Sequence, residues 1–267
     1  MNSYILGFLV VFITTSLSVA GMVFVRSRVS LATLTLNHEV AGYLLSIVGT
    51  LYAVLLGFVI VDTMQHMQDV RGLVSMEASG LCNIYLCSEG LPQRKKETIR
   101  MLCREYAEEV IDDEWKTLQH GKYSQKTFHA VFRIWKEITT FNPVSQGEQS
   151  LHQQLVAEIC SMTQNHRTRV INATRGVAPV MWLVLIVGGI FTVIFTYFFG
   201  IENMRVQALM TVLVAVTLSL NVYLVFVFAN PMSPDLGVKP GPFQLDLIIF
   251  SNFERGEMPP PAHELAN

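Results

Sequence analysis

Apolar and polar positions alternate along this chain in long blocks. Four runs carry no Asp, Glu, Lys or Arg: residues 4–25, 40–61, 176–201 and 206–234, the last apolar as far as residue 229. About 20 helical residues, at ~1.5 Å each, cross a hydrocarbon core of ~30 Å. One such run would suit a buried core helix; four in 267 residues predict four transmembrane helices. No Lys or Arg precedes the first run, its apolar stretch exceeds a signal-peptide core, and no small-x-small site follows, so a retained first span is expected.

Between the second and third runs the pattern changes. Residues 62–175 hold 14 acidic and 14 basic side chains, the balance of a water-facing surface. Residues 62–89 contain no proline, and Val70, Leu73, Val74, Leu81, Ile84 and Tyr85 recur at helical spacing, which predicts that the second span continues beyond the membrane. Pro92 suits a first helical turn, followed by the stripe Ile99, Leu102, Tyr106, Val110. Gly121 ends that element, and Ser124 is placed to cap a helix carrying Phe128, Val131, Phe132, Trp135 and Ile138. After Asn142-Pro143, the positions Leu151, Leu155, Ile159 and Met162 predict a further helix leading through Arg175. Beyond Asn230-Pro231 the chain is proline-rich, with LDLIIF (residues 245–250) able to dock as a short helix or strand.

The expected fold is therefore an all-α integral membrane protein of four transmembrane helices, with a helical cytoplasmic domain inserted between the second and third. Its parts are a first hairpin (1–62), the helical domain (63–175), a second hairpin (176–230) and a tail (231–267). Arg26, Arg28 and Arg205 lie in the short outer loops; Arg71, Arg167, Arg169, Arg175 and Lys239 lie on the other side. Cys82, Cys87, Cys103 and Cys160 all fall in the middle domain without metal spacing, as free thiols in a reducing compartment would. Both termini and the middle domain are accordingly expected in the cytoplasm, in a cell inner membrane.

Composition narrows the function. Only 15% of residues are charged, against about 25% for a soluble domain. A net charge of -2 gives no footprint for nucleic acid. The cluster Glu108, Glu109, Asp112, Asp113, Glu114 spreads around more than half a helix and reads as a solvated acidic face, not a metal site. The seven histidines are scattered; no phosphate loop, HExxH or Ser-His-Asp order is present, and nothing calls for an enzyme or cofactor.

The spans carry the candidate site. Gly42, Ser46, Gly49, Ala53 and Gly57 form one small-residue face on the second span. Gly7, Thr14, Ser18 and Gly21 do so on the first, Gly188-Gly189, Thr192 and Thr196 mark the third, and Thr211, Ala215 and Ser219 form a face on the fourth. Such faces either let helices approach closely or leave room along a permeation path. Asp62, at the end of the second span, is either a boundary residue in water or part of a carboxylate ring at the mouth of an oligomeric pore. Arg167, Arg169 and Arg175 are expected as lipid-headgroup anchors beside the third span, with Trp182 as an interfacial aromatic.

Five stretches resemble a bacterial membrane-protein family described as bestrophin-like: LYAVLLGFVIVDT (51–63), EASGLCNIYL (77–86) followed by LPQ, REYAEEVIDDEW (104–115), RTRVINATRGVAPVMWLVLIVGG (167–189) and NPMSPDLGVKPGPF (230–243). The resemblance implies an oligomeric anion channel with four spans and a helical cytoplasmic domain. It brings no pore phenylalanines and no calcium clasp, since the second span lacks an aromatic neck and the acidic cluster has the wrong spread. The layout is also similar to that of proton-driven motor stators. Two readings follow: a homo-oligomeric channel for small ions, or a membrane scaffold or sensor whose helical domain binds a cytoplasmic partner.

Overall fold

The computed structural model describes residues 3–36 and 38–257. Among these residues the regular elements are helical: α1 (Ser3–Arg28), α2 (Leu31–Leu36), α3 (His38–Cys87), α4 (Gln93–Glu109), a π-helical turn (Val110–Glu114), α5 (Trp115–Gln119), α6 (Gln125–Thr139), α7 (Gln146–Thr174), α8 (Pro179–Tyr197), α9 (Met204–Phe228) and α10 (Gly241–Arg255). Among the described residues four helices are long and apolar enough to cross a membrane, supplied by α1, the first half of α3, α8 and α9. The helical segment expected between the second and third spans is present, so the predicted topology holds.

Local chemistry sets the helix ends. Ser145 and Glu148 form a reciprocal capping box that opens α7. Ser124 caps α6 as its sequence position predicts, accepting from the Thr127 N–H. Pro179 begins α8, Asn203 caps α9, and Gly256 (φ 69°) ends α10 in the left-handed region. Nothing interrupts α3 across its 50 residues.

The described chain divides into two compact units. One comprises the chain up to Met67, Gly176–Asn230 and Asp235–Gly237. Water does not drive helices together in a bilayer, so close fit must do it. Here aromatic rings fill glycine notches. A Cβ at Gly7 would lie 2.6 Å from the Tyr223 ring, and one at Gly21 would lie 2.8 Å from the Tyr197 hydroxyl. One at Gly188 would lie 2.5 Å from the Tyr52 ring. Tyr52 also donates its hydroxyl to the Leu185 carbonyl at 2.9 Å, and with Leu56, Val59, Leu185 and Val225 it forms the buried core that Trp182 packs against. Thr14 and Ser219 share a hydrogen bond of 2.6 Å, so α1 and α9 are linked by polar as well as apolar contact. Arg26 donates to the Ile201 and Glu202 carbonyls and to Gln207, holding the turn after α8.

The other unit comprises Gln68–Arg175, Pro231–Pro234 and the chain from Val238. Its core gathers Val70, Val74 and Leu81 from α3, Ile99 and Tyr106 from α4, Ile134 and Ile138 from α6, and Ile159 and Met162 from α7. Of the two forms expected for LDLIIF, the helix is found: it belongs to α10, whose Phe250 stacks on Tyr85 at 3.9 Å, so much of the tail is part of this core. One detail differs from the sequence expectation. On α6 the buried face is Thr127, Ala130, Val131, Ile134 and Ile138; Phe128, Phe132 and Trp135 lie on an exposed flank. Two apolar stripes run along α6, and the branched one is buried.

Gly188→Leu should force the Tyr52 ring out of its notch and cost about 1–3 kcal/mol. Thermal melting of the purified protein in detergent checks this. An unchanged midpoint would contradict the Tyr52–Gly188 contact.

Candidate functional site

The chemically distinctive part of the helical unit is a buried ionic cluster. Position 77 falls on the apolar stripe of α3, between Val74 and Leu81, and carries a glutamate. Position 169 falls on the buried stripe of α7, after Met162 and His166, and carries an arginine. Glu114 closes the π turn. A π turn takes one extra residue per turn, which here keeps Val110 and Glu114 both directed inward below Tyr106 while Asp112 stays exposed.

Glu77, Glu114 and Arg169 are all 0% exposed. Arg169 Nε donates to Glu77 Oε2 at 2.6 Å, and its Nη2 donates to Glu77 Oε1 at 2.9 Å and to Glu114 Oε2 at 2.5 Å. Tyr106 donates its hydroxyl to Glu77 Oε1 at 2.5 Å. His166 Nε2 lies 2.9 Å from Glu114 Oε1. Trp115 and Phe243 cover the guanidinium, 5.3 Å and 5.9 Å from their ring centroids. Burial alone would raise the Glu114 pKa, but Arg169 and His166 together bring it below the ordinary carboxylate value. Glu114 is therefore ionised and accepts, so His166 Nε2 carries the hydrogen it donates. Burial, then the charges of Glu77 and Glu114, raise the Tyr106 phenol well above its usual value, so it remains a donor.

This cluster corrects two expectations. Arg169 is not a headgroup anchor: it is enclosed by two carboxylates and two rings, while Arg167 and Arg175 are exposed. Glu114 is not part of a solvated acidic face, although Glu108 and Asp112 are exposed. Among the described residues no group of three or more His, Cys, Asp or Glu is placed to hold a metal ion. The cysteines are free, and Cys160 is exposed.

The membrane-embedded candidates separate into two kinds. On α9, Thr211 and Ala215 are buried, with Thr211 3.4 Å from Thr196, and Ser219 is bonded to Thr14. Ala215 and Ser219 also border a crevice of about 380 Å³ that reaches Thr14, Ser18, Gly189 and Tyr197. The α3 face is different. Ser46, Ala53 and Gly57 are exposed, and Gly42 and Gly49 are half-buried. A Cβ at Gly57 would meet nothing within 4 Å, and one at Gly49 would meet only Leu45 of its own helix. Asp62 is exposed too, but at about 100° per residue it points roughly half a turn away from the centre of that small face. One straight helix does not direct both at the same axis.

Comparison with known proteins bears on this arrangement. A model of the bestrophin-like domain matches residues 12–243. No curated protein sequence matches the chain. Two crystal structures of membrane proteins share its fold. One is 11% identical with a TM-score of 0.62, covering 90% of this chain and 98% of its own. The other is 13% identical with a TM-score of 0.62, covering 93% of this chain and 100% of its own.

Arg169→Met would strand two buried carboxylates and should cost about 3–5 kcal/mol. Tyr106→Phe removes one hydrogen bond to a charged group and should cost about 1.5–3 kcal/mol. Melting curves check that order. The depressed Glu114 pKa contributes stability that is complete above its unfolded value of about 4.3 and is lost as pH falls through its folded value. Wild type should therefore lose stability more steeply with acidification than Glu114→Gln does.

Proposed function

Because the chain belongs to the bestrophin-like family, we propose that it is a homo-oligomeric membrane channel for small ions, and that the small face of α3 (Gly42, Ser46, Gly49, Ala53, Gly57) looks onto the oligomer axis or the neighbouring subunit. The observation that carries this reading is that this face is uncovered beyond Gly42, where a Cβ would lie 3.8 Å from the Phe199 ring. Aromatic rings occupy the notches at Gly7, Gly21 and Gly188, yet nothing from another helix lies within 4 Å of a Cβ at Gly49 or Gly57. A small face toward lipid gains nothing from its smallness, because lipid accommodates leucine equally well; toward a second copy it allows close approach, and toward an axis it leaves room for water. On this reading Thr211, Ala215 and Ser219 hold the protomer together, and Asp62 lies off the ion path. Arg167 and Arg175 act at the lipid surface, and the helical unit and both termini are cytoplasmic in a bacterial inner membrane.

A second reading has its own support. Phe128, Phe132 and Trp135 form an exposed aromatic flank on α6, of the kind a cytoplasmic partner would cover. The protein would then act as a membrane scaffold or sensor.

Reconstituted protein in planar bilayers under a salt gradient distinguishes the two. The channel reading expects single-channel currents that Gly49→Leu or Ala53→Leu reduces or abolishes, with a change in oligomer size or conductance. Asp62→Asn should leave the reversal potential unchanged. Absence of current from correctly assembled wild type, across a range of pH, calcium and voltage, would favour the scaffold.

Orientation has a separate check. A membrane-impermeant thiol reagent applied to intact cells should leave the exposed Cys160 unlabelled while labelling an Asn203→Cys control. Rapid labelling of Cys160 with the control working would reverse the assigned sides.

A further inference from the structure

Within the helical unit an open cavity of about 630 Å³ lies between α3 and α10. Ala78 and Ser79 border it from α3, and Pro242, Gln244, Asp246 and Ile248 border it from α10. Asp246 is only 5% exposed, and its Oδ2 is buried with no hydrogen-bond partner. It forms no ion pair among the described residues. Native structures seldom leave a buried carboxyl oxygen without a hydrogen-bond partner, so this one calls for an occupant. The contrast with Glu77 and Glu114, whose buried oxygens are bonded to Arg169, Tyr106 and His166, is within the same unit.

The donor set narrows the occupant. Among the described residues Asp246 belongs to no group of three or more His, Cys, Asp or Glu, which leaves too few ligands for a divalent ion. The titratable groups that sense Asp246 are the thiols of Cys82 on α3 and Cys103 on α4, and neither is a cation. The remaining polar side chains at the cavity, the Ser75 and Ser79 hydroxyls and the Gln244 amide, each offer an oxygen acceptor. Ala78, Pro242 and Ile248 supply apolar surface beside them. A buried acid and further acceptors lining one cavity beside a short apolar wall suit a positively charged head with several donors on a hydrocarbon stem.

We propose that this cavity binds the ammonium group of an aliphatic amine, with Asp246 as its counter-ion and Ser79 and Gln244 as further acceptors. The amine is either a free linear amine or a lysine side chain of a second copy of this chain. Burial raises the empty site's Asp246 pKa to about 8, so at neutral pH the acid is largely protonated. Ammonium binding favours the carboxylate and releases that proton.

The test uses full-length protein in detergent with 1,4-diaminobutane as probe, at constant ionic strength and with NaCl as the control. Wild type, Asp246→Asn and Ser79→Trp are compared by melting temperature and by light scattering. Ser79 is exposed, so Ser79→Trp obstructs the cavity without disturbing the core and keeps the test valid if Asp246→Asn fails to fold. For a free amine, the diamine raises the wild-type melting temperature beyond the NaCl control, and both variants lose that shift. For a lysine of a second copy, the diamine and both variants each reduce the oligomer size. No diamine effect on melting or size beyond NaCl, or an equal effect in wild type and Ser79→Trp, overturns the proposal.

Discussion

The burial of Arg169 is the constraint on which the helical unit depends. A guanidinium at 0% exposure is tolerated only where its charge is matched, and Glu77 and Glu114 match it from two other elements. The three charges therefore fix the mutual positions of α3, α7 and the π turn. Buried apolar side chains such as Val74, Ile159 and Ile134 would tolerate small slides between helices; a guanidinium bonded through Nε and Nη2 would not. The π turn follows from the same requirement, since it brings Glu114 inward beneath Tyr106. Trp115 and Phe243 then close the site against water, which strengthens each bond inside it.

The membrane unit is organised by shape, not charge. Tyr223 and Tyr197 press rings against Gly7 and Gly21 of α1, and Tyr52 presses against Gly188 of α8, so the small faces of these two helices are used up within one protomer. The small face of α3 meets only Phe199, at Gly42, and its neighbours Tyr43, Ile47 and Phe58 are exposed as well. A chain with one unsatisfied close-packing surface among four similar ones has a natural place for a second copy or an axis. That asymmetry, together with the family assignment, gives the channel reading its physical content.

Much of this was legible in the sequence. Uncharged runs marked the four spans, and Ser124, Gly121 and Pro92 marked helix ends that the structure places where expected. The ionic cluster was missed because each charge was read by type and not by phase. Glu77 follows Val70 and Val74 at helical spacing, and Arg169 follows Ile159, Met162 and His166; a charge on a buried stripe signals a partner elsewhere. Glu114 was harder to see, because a π turn shifts the phase that the acidic run would have in an α-helix. Phe128, Phe132 and Trp135 misled in the opposite sense, forming an aromatic stripe at the correct spacing on the exposed side of α6. Which small faces were occupied could not be read from spacing, because a tyrosine distant in sequence fills each notch.

A density map of the purified protein in a lipid nanodisc tests the central claim most directly. The account predicts a symmetric oligomer in which Gly49, Ala53 and Gly57 face the axis or an adjoining subunit, with Asp62 turned away from that axis. A map in which the small face of α3 meets lipid while Asp62 lines the axis would contradict it.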